Sequence, residues 1–326
     1  MNIKMKFLIT GSCGFIGFHL SQKLLSLGHN VFGIDNMSNY YDQRIKRMRL
    51  NILNKNKNFF FHKIDLSKRN LNLYSKIKKI DYIVHLAAQA GVKYSLKNPM
   101  AYYENNVIAF AYILELAKKL KIKKLIYASS SSVYGDVKDK IFKEKNIGKP
   151  LSNYALTKKI NEHMAEFYSK SFSIKCVGLR FFNVYGPFGR PDMALWIFIK
   201  KTLSKKLINL HNYGNMERSF TYIDDIINSI LLIIFNKKNT NKNIIYNIGN
   251  TNTIKLFSLI KIIEKNIQKK INYKKIPMQF GEIQKTQASN TKFYKDYKYK
   301  PIVSINVGVK KFVEWYLNHK KKYKWF

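Results

Sequence analysis

Short apolar runs alternate with longer stretches of helical period through the first half of the chain. The runs at 6–10, 31–35, 59–64, 82–87 and 125–129 are almost continuously apolar, as expected for strands buried on both faces of a parallel sheet. Between them, apolar residues recur at helical spacing and predict helices over 19–27, 42–53, 102–120 and 154–171. A sixth strand is predicted at 176–179. Strands and helices that alternate in this way imply βαβ units and an α/β fold with a doubly wound parallel sheet.

After residue 183 the pattern loosens. Short loops are marked by Gly186-Pro187, Gly189-Arg190-Pro191 and Gly214-Asn215, and helices are predicted over 224–235, 257–268 and 307–317. A dinucleotide-binding region over 1–182 and a smaller substrate-binding region over 183–326 follow from this, interleaved so that the boundary is nominal. The second region is expected at the carboxyl ends of the strands, where open α/β sheets bind ligands. The apolar run at 226–235 is far too short to span a bilayer. The lysines and apolar residues of 1–10 read as a first strand, not a signal peptide, because glycines follow at once.

Composition changes the picture little. In 326 residues, 46% are hydrophobic and Tyr and Phe number 22 each, which is globular. The formal net charge of +40 could mark a nucleic-acid or anionic-membrane binder. However, the lysines are dispersed, as in Lys118-Lys119, Lys200-Lys201 and Lys320 to Lys322, and read as solvated faces. Cys13 and Cys176 are far apart in sequence and form no metal or redox spacing. They are expected to be reduced thiols in a cytoplasmic protein.

The first strand runs into Gly11-Ser12-Cys13-Gly14-Phe15-Ile16-Gly17, a G-x-x-G-x-x-G turn that opens a helix. Glycines there allow a tight turn and close approach of backbone N–H groups to a pyrophosphate. Asp35 ends the second strand, placed for an adenosine ribose, and Asn36-Met37 supplies no arginine for a 2′-phosphate. NAD is therefore expected over NADP, on a Rossmann sheet. Asp65 with Leu66, and Leu86 with Ala87 and Ala88, fall at the next strand ends and suit adenine-side and pyrophosphate-side contacts. Ala87 and Ala88 serve equally well as small core residues.

Tyr154 and Lys158 stand four apart, on one face of a helix. A phenol is a poor base at neutral pH unless its pKa is lowered, and a fixed ammonium beside it would do so. Ser129-Ser130-Ser131-Ser132-Val133-Tyr134-Gly135 follows the fifth strand directly. Four hydroxyls in a row at a strand end have no evident packing purpose and can hydrogen-bond a substrate oxygen.

In this order, with His85-Leu86-Ala87-Ala88, Arg180 to Pro187 and Arg218 to Asp225, these motifs resemble extended short-chain dehydrogenase/reductases acting on nucleotide-sugars. The stretches at 88–95 and 189–194 are similar to UDP-glucuronate 4-epimerases in particular. The resemblance implies NAD as cofactor, a UDP-sugar substrate, a homodimer, and C4 epimerisation through a 4-keto sugar. It also implies site roles: Tyr154 as base, Lys158 as its electrostatic partner and ribose ligand, and Ser130 on the sugar O4. Asn105 would lie near the cofactor, Asn183 near the diphosphate, Arg218 on a phosphate, and Arg190 at the uronate end. A surface ion pair of Arg218 with Asp224 or Asp225 is the competing reading.

Related dehydratases and decarboxylases carry acids after the catalytic hydroxyl, whereas this chain has Ser131 and Ser132. Hydride return is then the main fate left to the intermediate, with the two hydroxyls holding the carboxylate. Asn183 stands where the glucuronate enzymes carry Thr, Ser219 replaces an Asp, and the uridine-side segments at 279–282 and 288–290 match only approximately. These differences leave the C5 substituent open, not the reaction type, so the alternative is a UDP-glucose or UDP-N-acetylglucosamine 4-epimerase; a UDP-glucuronate decarboxylase and a lysine-rich non-catalytic binding protein are the further readings.

Overall fold

The computed structural model describes residues 4–68, 77, 79–139, 141–236, 243–279, 283–323 and 325–326. Of the segment 279–282, only Gln279 lies among them. Seven parallel strands form the main sheet: β1 (Lys6–Thr10), β2 (Asn30–Asp35), β3 (Phe59–Lys63), β4 (Tyr82–His85), β5 (Lys124–Ser130), β6 (Cys176–Phe181) and β7 (Asn243–Ile248). Their spatial order is β7-β6-β5-β4-β1-β2-β3. The order reverses between β1 and β4, and a crevice for ligands opens at such a switch point.

Both faces of this sheet are covered. Phe7, Ile9, Val84 and Ile126 point into one core, and Leu8, Ile83, Leu125 and Tyr127 into the other. The first core is closed by α1 (Phe15–Ser26), α6 (Ile223–Phe235) and α8 (Ile305–Lys322), and the second by α3 (Ala109–Lys119). Side chains that alternate across a strand but are apolar on both sides account for the unbroken apolar runs of the sequence. The remaining principal helices are α2 (Gln43–Leu53), α4 (Asn153–Phe172), α5 (Ala194–Leu203) and α7 (Leu256–Ile267).

The predicted strands and helices fall within a few residues of those observed, and the described residues hold further elements, the short helices Val92–Lys97 and Thr291–Tyr297 among them. α5 and β7 are additional, and β7 pairs with β6 over its whole length. Thus the chain beyond residue 183 returns to the main sheet. Around it are two- and three-stranded pieces: Val184–Tyr185 with Thr221–Tyr222, Ile208–Leu210 with Tyr273–Lys275, and Glu217–Arg218 between Ile254–Lys255 and Lys285–Thr286. The predicted helix at 102–120 contains a wider π turn, Tyr103–Ile108, before α3.

Candidate active site

The glycine turn links β1 to α1. Gly11 has φ +70°, in the left-handed region, and its N–H donates to the carbonyl of Ile34 at 2.7 Å. A Cβ on Gly17 would lie 2.1 Å from the Gly11 carbonyl oxygen, and one on Gly11 would press on the Ala87 backbone at 2.8 Å. Helix α1 begins after Gly14 with no side-chain cap and no acid in its first turn. Its first N–H groups thus remain available to an anion, which a pyrophosphate would supply. Phe15 is buried at this turn and Ile16 half-buried.

Asp35 ends β2 and is buried. Its carboxylate accepts from the N–H groups of Cys13 (3.1 Å) and Met37 (2.8 Å) and lies 3.4 Å from the Lys46 Nζ of α2. Lys46, which the sequence reading missed, also donates to the Ser38 hydroxyl at 3.0 Å. Asn36 caps the following turn by accepting from the Ser38 N–H. Asp65 accepts from the N–H and hydroxyl of Ser67, and Leu66 beside it is buried. The cradle, the free helix end and the carboxylate fit the two halves of an NAD molecule.

Thr10 and His85 fix the opposite wall. The Thr10 hydroxyl oxygen receives the N–H groups of Leu86 and Ala87, both at 3.2 Å. Its own hydrogen therefore goes to His85 Nδ1, 2.8 Å away. Burial first, then Lys158, pushes the His85 pKa down to about 3, so the ring is neutral. Ala88, by contrast, is exposed, so it is not the small core residue that was the alternative for it. Asn105 donates to the Ala101 carbonyl from within the π turn. Its neighbour Asn106, a second residue missed, is fully buried and pairs with both backbone groups of Gln89 and with the Thr157 hydroxyl.

Ser130 ends β5, and its hydroxyl accepts from the Ser132 N–H at 3.1 Å, starting the short helix Ser131–Tyr134. Tyr154 opens α4, whose first turn is capped by Ser152. Burial raises the phenol pKa, offset in part by a hydrogen bond with Ser130 and then by the Arg190 charge. The expected downward pull from Lys158 is not among these causes. Lys158 Nζ instead donates to the Ala128 carbonyl at 3.0 Å. Burial depresses its own pKa to about 8, with Glu162 acting in the opposite sense.

The row of four serines divides by function. Ser129, expected at the site, points beneath the sheet and donates to Glu162 at 2.5 Å. Glu162 in turn forms a bidentate, buried ion pair with Arg180, both contacts 2.8 Å. Arg180 also donates to the Tyr134 hydroxyl, which donates to Asn247 of β7 at 2.6 Å. Packing is thus one purpose of the serine row, contrary to expectation. Ser131 and Ser132 are half-buried at the strand end, on the Ser130 side.

The sugar end gathers residues from later loops. Arg190 forms a two-point ion pair with Asp192 (3.0 and 2.5 Å) and lies 5.9 Å from the Tyr40 ring centre. The Tyr40 hydroxyl also reaches Asp192, at 3.3 Å. Tyr102 packs edge-on to Tyr154, ring centres 6.1 Å apart. Asn183 follows β6, and its carbonyl accepts from the Thr221 N–H. Arg218 Nη1 donates to the carbonyls of Glu217 and Gln284. Asp225, proposed as a pairing partner for it, instead accepts from the Tyr299 hydroxyl and the Ile302 and Val303 N–H groups. Ser219 is fully buried, and its hydroxyl accepts from the Ala288 N–H.

A dinucleotide cradle at the switch point, with Ser, Tyr and Lys converging at the end of β5, defines an extended short-chain dehydrogenase/reductase acting on nucleotide-sugars. Within that class the chain belongs to the family described as GDP-mannose 4,6 dehydratase, which matches residues 8–312. It is 37% identical over 330 residues to a probable UDP-glucuronate 4-epimerase of Rhizobium meliloti (strain 1021), covering 96% of this chain and 97% of the relative. Protein CapI of Staphylococcus aureus is 42% identical over 337 residues, with 98% and 100% covered. Among solved structures, a UDP-glucuronic acid 4-epimerase from Bacillus cereus, in complex with UDP-glucuronic acid and NAD, superposes with a TM-score of 0.91. It is 35% identical, with 98% of this chain and 100% of that one covered.

Proposed function

We propose that this chain is an NAD-dependent UDP-glucuronate 4-epimerase, interconverting UDP-glucuronate and UDP-galacturonate through a transient 4-keto sugar. One juxtaposition carries the reading. Ser130 and Arg190 both act on the Tyr154 phenol. On a uronate the carboxylate is attached at C5, next to the reacting C4. A guanidinium within electrostatic reach of the base is therefore suited to that carboxylate, whose planar geometry it matches.

When bound, NAD supplies the hydride acceptor and donor at C4. Tyr154 takes the O4 proton while the Ser130 hydroxyl hydrogen-bonds O4. Lys158, held on the Ala128 carbonyl, contributes a donor to the cofactor ribose. The 4-keto uronate is a β-keto acid, which loses CO₂ when its carboxylate bond aligns with the carbonyl π system. Arg190, Ser131 and Ser132 hold the carboxylate out of that alignment, and Ser131 and Ser132 stand where related dehydratases and decarboxylases carry acids. After the sugar turns over, Tyr154 returns the proton to O4. Asn183 and Arg218 serve the diphosphate.

A neutral UDP-sugar is the second reading, favoured by the two-point bond of Arg190 to Asp192, which already occupies the guanidinium. A panel of UDP-sugars with products resolved by chromatography separates the two. Conversion of UDP-glucuronate to UDP-galacturonate supports the first reading, and conversion of neutral sugars alone overturns it.

A homodimer belongs to the same proposal, built by α4 and the helical stretch ending in α3. Phe167 is 60% exposed and Ile108 43%, an apolar surface such packing would cover. Monomeric sedimentation at micromolar concentration would remove it. A cytoplasmic location is also part of the reading, supported by the two buried, unbonded thiols Cys13 and Cys176. Among the described residues, no helix is long and apolar enough to cross a membrane.

A further inference from the structure

We propose that Arg49 is a positioning residue for the uronate end of the site, clamping the loop 186–190 onto the dinucleotide-binding helices and thereby fixing Arg190. The inference rests on the reading of Arg190 as the carboxylate's partner.

Arg49 lies on α2 and is fully buried. Its Nη1 donates to the Cys13 carbonyl, inside the glycine turn, and to the Tyr41 hydroxyl, both at 2.8 Å. Its Nη2 donates to the carbonyls of Phe188 (2.6 Å) and Gly189 (3.0 Å). All four acceptors are neutral, and Nε has no partner among the described residues. A buried cation without a carboxylate is expensive to keep, so its value must lie in the geometry that it imposes. A planar guanidinium can straddle the glycine turn and two loop carbonyls at once, and a lysine ammonium cannot.

The loop needs such a clamp. Gly186 has φ +149°, and Phe188 has φ +55°, in the left-handed region that a residue with a side chain rarely occupies. Strained backbone of this kind persists only where its surroundings over-determine it. His19 of α1 holds the Pro187 carbonyl at 2.8 Å, and the Phe188 ring packs on Phe18 and Trp315 at 4.9 and 5.0 Å. Three successive carbonyls, of Pro187, Phe188 and Gly189, are thus held by α1 and α2. Arg190 is the next residue. The two helices that shape the cofactor cradle therefore also set the position of the guanidinium beside Tyr154.

The test is a double-mutant cycle of Arg49→Lys and Arg190→Ala, each purified with its NAD content measured. Arg49→Lys should raise KM for UDP-glucuronate about tenfold or more, since small misplacements in a site have costs of that order. It should also divert part of the product to UDP-pentose, while affinity for UDP alone and NAD content change less than about twofold. In the Arg190→Ala background it should add almost nothing, because both changes remove one interaction. Additive effects, or a parallel loss of UDP affinity, would show a general structural role and overturn the proposal. If Arg190→Ala itself leaves KM and products unchanged, the carboxylate reading has failed and the clamp falls with it. If Arg190→Ala is damaging and Arg49→Lys is not, the clamp alone is wrong. Should Arg49→Lys not fold, His19→Phe removes the hold on Pro187 and keeps an aromatic ring. Its effect must likewise vanish on Arg190→Ala, and additivity there overturns the proposal.

Discussion

At the scale of single residues, the account depends on Tyr154. Tyr154→Phe should lower turnover by roughly two or more orders of magnitude, the usual size of a general-base contribution. NAD should remain bound, because the ring still packs against Tyr102. Steady-state rates and the absorbance of extracted cofactor check both halves. Lys158 adds a pH dependence. Its pKa is lowered to about 8, so its ammonium is lost above that value and activity that relies on the charge should decline on the alkaline side. Folding stability moves the other way. Between about 8 and the ordinary lysine value the unfolded chain binds more protons than the folded one, so stability rises with pH across that window. Ser131→Ala with Ser132→Ala should leave O4 chemistry in place and release UDP-pentose from UDP-glucuronate. A double variant that yields no pentose would assign those hydroxyls to loop packing. Reactive residues were legible in the sequence because their chemistry is local: a Tyr and a Lys one turn apart, hydroxyls at a strand end. Lys46, Asn106 and Arg49 were not, since each matters through a partner that only the fold brings near.

Elements were legible where burial is one-directional in sequence. The runs for the inner strands β1, β2, β4, β5 and β6 are mostly apolar because both faces of the sheet are covered there, and the glycine turn is marked by its own sterics. β7 escaped because Asn243 and Asn247 interrupt it. Asn247 is polar for a reason that the sequence does not disclose: it is fully buried and accepts from Tyr134 while donating to the carbonyl of Phe142. Helix α5 escaped because its apolar residues follow the Gly189-Arg190-Pro191 loop without a capping side chain. Two predictions belong at this scale. Glu162→Gln leaves Arg180 buried without its carboxylate and should cost about 3–5 kcal/mol, read from the urea midpoint. It should also shift the alkaline decline of activity to lower pH, since Glu162 holds the Lys158 pKa up. At the junction of β2 and α2, Asp35→Ala should weaken NAD and improve relative use of NADP, because Lys46 would then face a 2′-phosphate without a competing carboxylate. Equal affinity of the parent protein for both cofactors would contradict this role for Asp35.

For the whole molecule, the sheet gathers the chemistry at one edge. The glycine turn, Asp35, Leu86, Ser130 and Asn183 all lie where β1, β2, β4, β5 and β6 end, so one crevice receives cofactor and sugar together. The charge of +40 is dispersed along the chain, and long-range attraction of a diphosphate should weaken as salt rises. Fold and reaction class could be read from motif order, and the uronate from the stretches at 88–95 and 189–194, whereas the approach of Tyr40 to Arg190 and Asp192 exists only in three dimensions. The central claim is that the hydrogen removed from C4 is the one returned to it. UDP-glucuronate deuterated at C4, incubated with the purified protein in ordinary water and followed by NMR, tests this most directly. The account predicts UDP-galacturonate that keeps its deuterium at C4, with no net accumulation of reduced cofactor. UDP-galacturonate carrying solvent hydrogen at C4, or UDP-glucuronate left unconverted, would contradict it.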